Sequence, residues 1–293
     1  MFGAVARSSM RKYLSNGFRL LRVLDLETAP IKTFPKEIMD LFYLSYLSLR
    51  KTRVKVIPRS IGNLQNLETL DLKKTHVSEL PVEILKLQKL RHLLVYNLKI
   101  ESYAHFNSKF GFKAFSGENE IIDLQHLSSP PQFLERLYLT GRLEELPSWI
   151  PSLHSLVKLS LKWSQLKDDP VVHLQDLPNL VHLELLHTCD NDMLSFKSGG
   201  FKKLKVLGLD KFDKLRCVKV EKGAMPCLER LTIQRCKLLK RVPSGVKNLT
   251  KLKSLQFFDM PYELILKLQP DGEGPSPAGI VRRSHELRPL WKV

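Results

Sequence analysis

Cysteine is scarce, with four in 293 residues at Cys189, Cys217, Cys227 and Cys236. That number cannot staple a small secreted framework, and no Cys-x-x-Cys pair offers a structural zinc site. No run of about 18 apolar residues occurs, so no membrane-spanning helix is expected. No G-x-x-x-x-G-K-[ST] loop is present to cradle a phosphate, so no nucleotide site is expected either. Paired carboxylates, a serine elbow and spaced histidine ligands are also missing, and the chain reads as a non-enzyme without cofactor or metal. His187 and Cys189 stand close in sequence, but no orienting third group accompanies them. Acids are outnumbered: 30 Asp and Glu face 47 Lys and Arg, a formal net charge of +17. Hydrophobic residues at 43% and charged residues at 26% are ordinary values that exclude wholesale disorder.

What the chain has in abundance is a periodic leucine. Leu21-x-x-Leu24-x-Leu26 recurs as Leu44/Leu47/Leu49, Leu67/Leu70/Leu72 and Leu90/Leu93/Val95, each 23 residues after the last. It resumes at Leu134/Leu137/Leu139 and continues through Leu156, Leu180, Leu204, Leu228 and Leu252, at steps of 22 and then 24 residues. Repetition at this period marks a stacked architecture. The pattern predicts an α/β leucine-rich-repeat solenoid of about ten repeats. It should be curved, with short parallel strands on the concave face and short helices or irregular turns on the convex face.

Each copy can be read physically. The alternation in L-x-L marks a short strand with both leucines turned into the core. Three residues beyond the second leucine stands a small donor (Thr52, Thr75, Ser164, Thr188, Cys236) suited to capping loop carbonyls that would otherwise be buried unpaired. Ala29, Leu98, Arg142, Phe212 and Met260 interrupt that column, which predicts less regular turns there. An apolar-proline step follows at Pro35, Pro58, Pro81, Pro147 and Pro243, where a missing N–H is tolerated in the first turn of a short helix. Single repeats cannot offset their own ordering cost, so stability must come from stacking neighbours.

The register breaks once. Leu90 and Leu134 lie 44 residues apart with no strand signature between them. Residues 99–114 are polar and aromatic, and Ile121, Leu124 and Leu127 resemble a helical turn, so a strand is missing near Ser116 and Glu118. Either an island loop or lost repeats would explain it. The organisation expected is therefore an irregular or remnant segment over 1–17, repeats over 18–100, an irregular insertion over 101–133, repeats over 134–268 and a flexible tail over 269–293. Arg7, Arg11, Lys12, Arg19 and Arg22 precede the first acid, Asp25, in the manner of a transit peptide. The repeat already begins at Phe18, however, so a cytoplasmic location is the expectation. The absence of a polar cap before Phe18 suggests that an N-terminal portion is missing.

The unit L-x-x-L-x-L-x-x-T-x-[IV]-x-x-[LIF]-P resembles the repeat domain of plant nucleotide-binding leucine-rich-repeat disease resistance proteins of the coiled-coil class. The Tyr103-Ala104-His105-Phe106 stretch and the block Cys227-Leu228-Glu229-Arg230-Leu231 with Cys236-Lys237-Leu238 carry the resemblance most narrowly, and it extends over roughly 18–268. It implies a solenoid that senses pathogen effectors or guarded host proteins and restrains a nucleotide-driven switch. The switch motifs themselves are absent from this sequence. A free-standing Ras-group signalling scaffold, whose repeats also use Leu-Pro at this step, and a non-functional receptor remnant stay open beside it.

Residues interleaved with the leucines should form the recognition face. Tyr46, Arg50, His92, Tyr96, Tyr138 and His182 are the candidates, because exposed aromatics and arginine carry much of the energy of protein recognition. The charge is concentrated elsewhere: residues 197–253 hold 17 Lys and Arg against four acids. Lys202, Lys203, Lys237, Lys240 and Arg241 represent this basic surface. No aromatic–basic interleaving or groove-reading motif accompanies it, which disfavours nucleic acid. The partner expected is a protein: an acidic surface of a nucleotide-binding domain, a pathogen effector or a guarded host protein. Simple solvation is the plainer account of the same lysines.

Overall fold

The structure, a computed structural model, describes residues 20–77, 80–97 and 131–268. The remnant at 1–17, the Tyr103 insertion, the missing strand near Ser116 and the tail at 269–293 fall outside the described residues. The chain divides into two compact units, Met1–Lys167 and Asp168–Val293.

In the first unit six strands run parallel in chain order: β1 (Val23–Asp25), β2 (Tyr46–Ser48), β3 (Thr69–Thr75), β4 (His92–Asn97), β5 (Arg136–Thr140) and β6 (Lys158–Lys162). The leucine period sets their register. Leu24 pairs with Leu47, Leu47 with Leu70, Leu70 with Leu93, Leu93 with Leu137 and Leu137 with Leu159. From Leu47 onward these side chains are at most 2% exposed. A one-residue slip would turn the whole column to solvent, so one-sided burial fixes the alignment. The sheet passes from β4 to β5 with no strand between them, and Leu93 meets Leu137 directly.

Opposite the strands lie short 3-10 helices at Lys36–Asp40, Arg59–Asn63, Val82–Lys86 and Ile150–Ser152. Pro35, Pro58 and Pro81 stand one residue before the first three, in extended backbone. Their carbonyls accept from Ile38, Ile61 and Ile84 at 3.2, 3.0 and 3.0 Å. The prolines therefore start these turns without occupying them. Ile38, Ile61 and Ile84 are each at most 1% exposed and close the core from that side.

The second unit repeats the plan with β7 (His182–Leu186), β9 (Val206–Asp210), β11 (Arg230–Gln234) and β12 (Ser254–Phe258). Leu183, Leu207, Leu231 and Leu255 share one register. Helix α1 (Pro170–Leu174) opens on Asp169, whose Oδ1 accepts from the Val171 N–H at 2.8 Å. Proline at its first position completes an N-terminus of the preferred kind. Helix α2 (Tyr262–Lys267) follows β12.

Beside the short helices and turns expected opposite the sheet, which include α1 and a 3-10 turn at Val246–Asn248, this unit carries two short strands. β8 (Met193–Phe196) and β10 (Cys217–Val220) form a second parallel sheet, pairing Leu194 with Val218 and Phe196 with Val220. Alternation is the cause: Leu194, Phe196, Val218 and Val220 are buried, while Met193, Cys217 and Lys219 are not. Ser244 extends the layer by bridging Lys219.

The turn after each strand holds a second surprise. Thr28, Lys51, Lys74, Trp163, His187, Lys211, Arg235 and Asp259 all have φ between 46° and 63°. Each lies two residues beyond the second leucine, and none is glycine. The N–H groups of Lys51, Lys211 and Arg235 donate to carbonyls of the next strand at 2.9, 2.9 and 3.0 Å. That bond holds the left-handed residue in place and extends the ladder by one rung. The conformation persists beside Ala29, Phe212 and Met260, so the irregular turns expected at those positions do not occur. Thr52 and Thr75 donate their hydroxyls to the Leu49 and Leu72 carbonyls at 2.7 Å, within their own turns.

A left-handed residue with a branched Cβ is strained by about 1–2 kcal/mol. Lys51→Val is therefore expected to lower stability by about that amount relative to Lys51→Gly, both variants having lost the same lysine. Urea unfolding of the two proteins measures the difference. Equal midpoints would show that the conformation at Lys51 is not held in the folded chain.

Candidate functional site: the outward face of the strands

Side chains alternate across each strand, so the residues between the leucines share the opposite face. Many short ones are covered despite pointing outward. Ser48, Asp71, Thr140 and Ser160 in the first unit are at most 5% exposed.

At the start of the first unit the face is ionic. Glu27 Oε1 is 2.7 Å from Lys51 Nζ and 3.6 Å from Arg50 Nε. The Lys51 hydrogen bond holds the Glu27 carboxyl below its usual range. Tyr46 is half-buried, and burial pushes its hydroxyl up, opposed by a hydrogen bond with Ser48. Asp71 is raised chiefly by burial, opposed by the Lys73 N–H that donates to Oδ1 at 2.8 Å. Lys73 is lowered chiefly by burial; Asp71 opposes this, and Arg50 and Lys158 reinforce it.

Further along, His92 Nδ1 lies 2.9 Å from Thr69 Oγ1. Burial holds the His92 imidazole below its ordinary pKa, and nearby Arg136 adds to the effect. Tyr138 on β5 carries two ammonium groups against its ring: Lys73 Nζ and Lys158 Nζ are each 5.3 Å from the centroid. Tyr96 belongs to β4, and its side chain lies outside the described residues. Of the first-unit candidates, His92 and Tyr138 therefore share one stretch of sheet, while Tyr46 and Arg50 belong to the ionic start. Sequence reading missed Lys158. The signal was available, since Lys158 holds the same place in its strand as Tyr46 and His92 hold in theirs.

In the second unit His182 Nε2 lies 2.7 Å from Glu184 Oε1. Asp210, 4% exposed, accepts from Gln234 Nε2 at 2.6 Å and from both Nε and Nη2 of Arg235. The basic candidates do not form one row. Lys202 and Lys203 precede β9, whereas Lys237, Lys240 and Arg241 follow β11, so they lie toward opposite ends of the parallel strands. Lys203 Nζ donates to Asn179 Oδ1 at 2.7 Å, and Lys240 Nζ is 2.9 Å from Glu263 Oε1. Glu229 is shared by Lys205 and Lys253, and Glu221 by Lys197 and Lys219.

Two other features lie away from this face. A depression of about 290 Å³ in the first unit is lined by Glu68, Lys89, Arg91, Phe133, Glu135 and Ser155. Its cations are already engaged, Arg91 by Glu135 and Lys89 by Asn66. The Cys189 thiol is buried and pushed up to about 12 by that burial, which keeps it protonated and unreactive. His187 Nδ1 is turned to the Lys211 carbonyl at 3.1 Å. Among the described residues no cluster of His, Cys, Asp or Glu could hold a metal ion, and no helix is long and apolar enough to cross a membrane.

Comparison with known proteins agrees with this geometry. The leucine-rich repeat region family matches residues 4–108 and 99–263. Disease resistance protein RPM1 of Arabidopsis thaliana is 33% identical over 155 residues, which is 53% of this chain and 16% of that protein. Disease resistance protein RPP8 of the same plant is 35% identical over 144 residues, 48% of this chain and 16% of that protein. The chain thus spans about a sixth of the length of these curated relatives. Among solved structures, the leucine-rich repeat domain of the type III effector XCV3220 (XopL) superposes with a TM-score of 0.62 at 22% identity, covering 89% of this chain and 82% of that one. The Leptospira interrogans leucine-rich repeat protein LIC12759 gives 0.59 at 25% identity, covering 87% of this chain and 60% of that one.

Proposed function

We propose that this chain, which belongs to the leucine-rich repeat region family, is the protein-recognition module of a plant disease resistance receptor. It binds a pathogen effector, a guarded host protein or a neighbouring receptor domain in the cytoplasm, and it catalyses no reaction itself. The observation that carries this reading is the outward face of the strands. It combines half-buried aromatics, paired charges and covered small polar residues on a frame whose leucines leave it little freedom to move. Rigid aromatic and cationic side chains on such a frame bind proteins with little ordering cost. The similarity to RPM1 and RPP8 supplies the setting of plant disease resistance. A free-standing scaffold would use the same face, but those relatives favour the receptor setting.

Proximity labelling in pathogen-challenged leaf tissue tests the reading. The chain should enrich a small set of proteins, and a Tyr46→Ala, His92→Ala, Tyr138→Ala variant should lose about nine-tenths of that enrichment. Recovery of the same proteins by both would refute recognition through this face.

A further inference from the structure

The outward face of the second unit has a gap in its middle row. Glu184, Gly208, Thr232 and Gln256 stand side by side there, since Glu184 pairs with Gly208, Gly208 with Thr232 and Thr232 with Gln256. Glycine weakens a strand, and inside one it marks a bulge, a bend or a place where another chain comes close to the backbone. Gly208 lies in unbroken register on both sides and is not among the residues of positive φ. Among the described residues, a Cβ added at Gly208 would come within 4 Å of the Glu184 Cγ alone, at 3.7 Å, an ordinary contact. Gly62 and Gly245 differ, because a Cβ there would stand 2.9 and 2.0 Å from a carbonyl oxygen. The fold therefore has room for a side chain at 208 and does without one. Strand spacing puts the backbones of Glu184 and Thr232 about 10 Å apart across this gap. The polar ends around it are engaged elsewhere. Glu184 Oε1 meets His182 Nε2 at 2.7 Å along its own strand, and Thr232 Oγ1 donates to Gln256 Oε1 at 3.1 Å on the strand beyond. Asp210 accepts from Gln234 and Arg235. The Glu184 Cγ methylene and the half-buried Val206 are left to line the gap.

We propose that the gap over Gly208 seats one aliphatic side chain of leucine size from a partner protein, set between Glu184 and Thr232 and against Val206. The proposal deepens the protein-recognition reading and rests on it. A polar side chain entering the gap loses its water and meets Glu184, Thr232 and Asp210 already paired, which leaves its own hydrogen bonds unmade. An aliphatic side chain gives up only unfavourable hydration. His182, Arg230 and Gln234 stand at the diagonal positions and supply a polar rim, the surround that a buried anchor needs to exclude water. The absent side chain also lets the partner's backbone approach β9 more closely than at any neighbouring place in the row. Gly208 is thus a specificity-determining residue that acts by leaving space.

The probe is N-acetyl-leucine N-methylamide, titrated into the isotope-labelled full chain while amide chemical shifts are followed. The shifts should concentrate on Val206, Gly208 and Thr232. The asparagine analogue, nearly the same in shape, should bind about threefold or more less tightly. Gly208→Ala should weaken leucine binding by about threefold, and Gly208→Leu should abolish the shifts by filling the seat. The same Gly208→Ala change should raise the melting temperature by about 1–3 °C, because alanine suits a strand better than glycine. That opposition of binding and stability is the signature of the seat, and Gly208→Ala supplies it even if Gly208→Leu does not fold. A lower melting temperature for Gly208→Ala would make Gly208 a structural glycine and overturn the proposal. Equal binding of the two probes, no binding of the leucine probe, or shifts that survive Gly208→Leu would also overturn it. The two readings fail separately. Leaf proteins enriched equally by the chain and by its Gly208→Leu variant would remove the seat and leave the recognition module. Leucine binding at Gly208 without any leaf partner would remove the module reading and leave the seat.

Discussion

Leu207→Asp is expected to unfold the repeats on either side of β9. The side chain is fully buried and stands in register between Leu183 and Leu231. Removing the leucine forfeits about 2–5 kcal/mol of transfer and packing energy. Placing a carboxylate there adds a desolvation cost that no neighbour offsets, for a total loss of about 5 kcal/mol or more. Each repeat borrows its stability from the next, so damage at one rung reaches both neighbours. Hydrogen exchange is the measurement. Protection should fall together in β7, β9 and β11, and less in the Leu207→Ala protein. Loss confined to β9 would mean that the repeats are not coupled as the register implies.

Gly245→Ala should cost nearly as much, for a different reason. Gly245 has φ +80°, and a Cβ there would sit 2.0 Å from the Val220 carbonyl oxygen. That carbonyl is held by Asn248 Nδ2 at 3.2 Å, while the Val220 N–H donates to Ser244 at 2.8 Å. Alanine must push apart the layer formed by β10 and Ser244, and it also adopts a conformation L-residues avoid. The expected loss is about 3 kcal/mol. It should appear as a lower melting temperature and faster exchange at Val218 and Val220. An unchanged melting temperature would show that the second layer yields without cost.

The fold was legible in the sequence wherever burial enforces a period. Leu47, Leu70, Leu93, Leu137 and Leu159 repeat because a core position accepts little else, and every one of them is in register. The left-handed column was invisible because lysine, arginine, tryptophan, threonine, histidine and aspartate hold it where glycine is the usual signal. At Thr28, Lys51, His187, Lys211 and Arg235 the conformation goes with a backbone hydrogen bond to the next strand, which is a tertiary feature with no local mark in the sequence. β8 and β10 did leave a mark in the alternation of Leu194 with Phe196 and Val218 with Val220. It fell where the repeat logic led us to expect turns.

Recognition was harder to read than fold. Position in a strand says which face a side chain shares, so Tyr138 and His92 could be placed from the repeat alone. It does not say which long side chain will lean over which ring. Lys73 reaches Tyr138 from two strands away, a contact that no spacing rule contains. The basic residues carry the opposite lesson. Their abundance in one stretch of sequence suggested one surface, yet Lys202 and Lys237 lie before and after different strands. Charge density along the chain and charge density in space are different quantities.

The meeting of Leu93 with Leu137 has a practical consequence. The strands on both sides of this junction are aligned by their own leucines, so the sheet does not depend on how many residues join them. Each doubling of a connecting segment costs only about 0.6 kcal/mol. The junction is thus a natural port, where segments of different length and content can be exchanged by recombination or by design without rebuilding the frame.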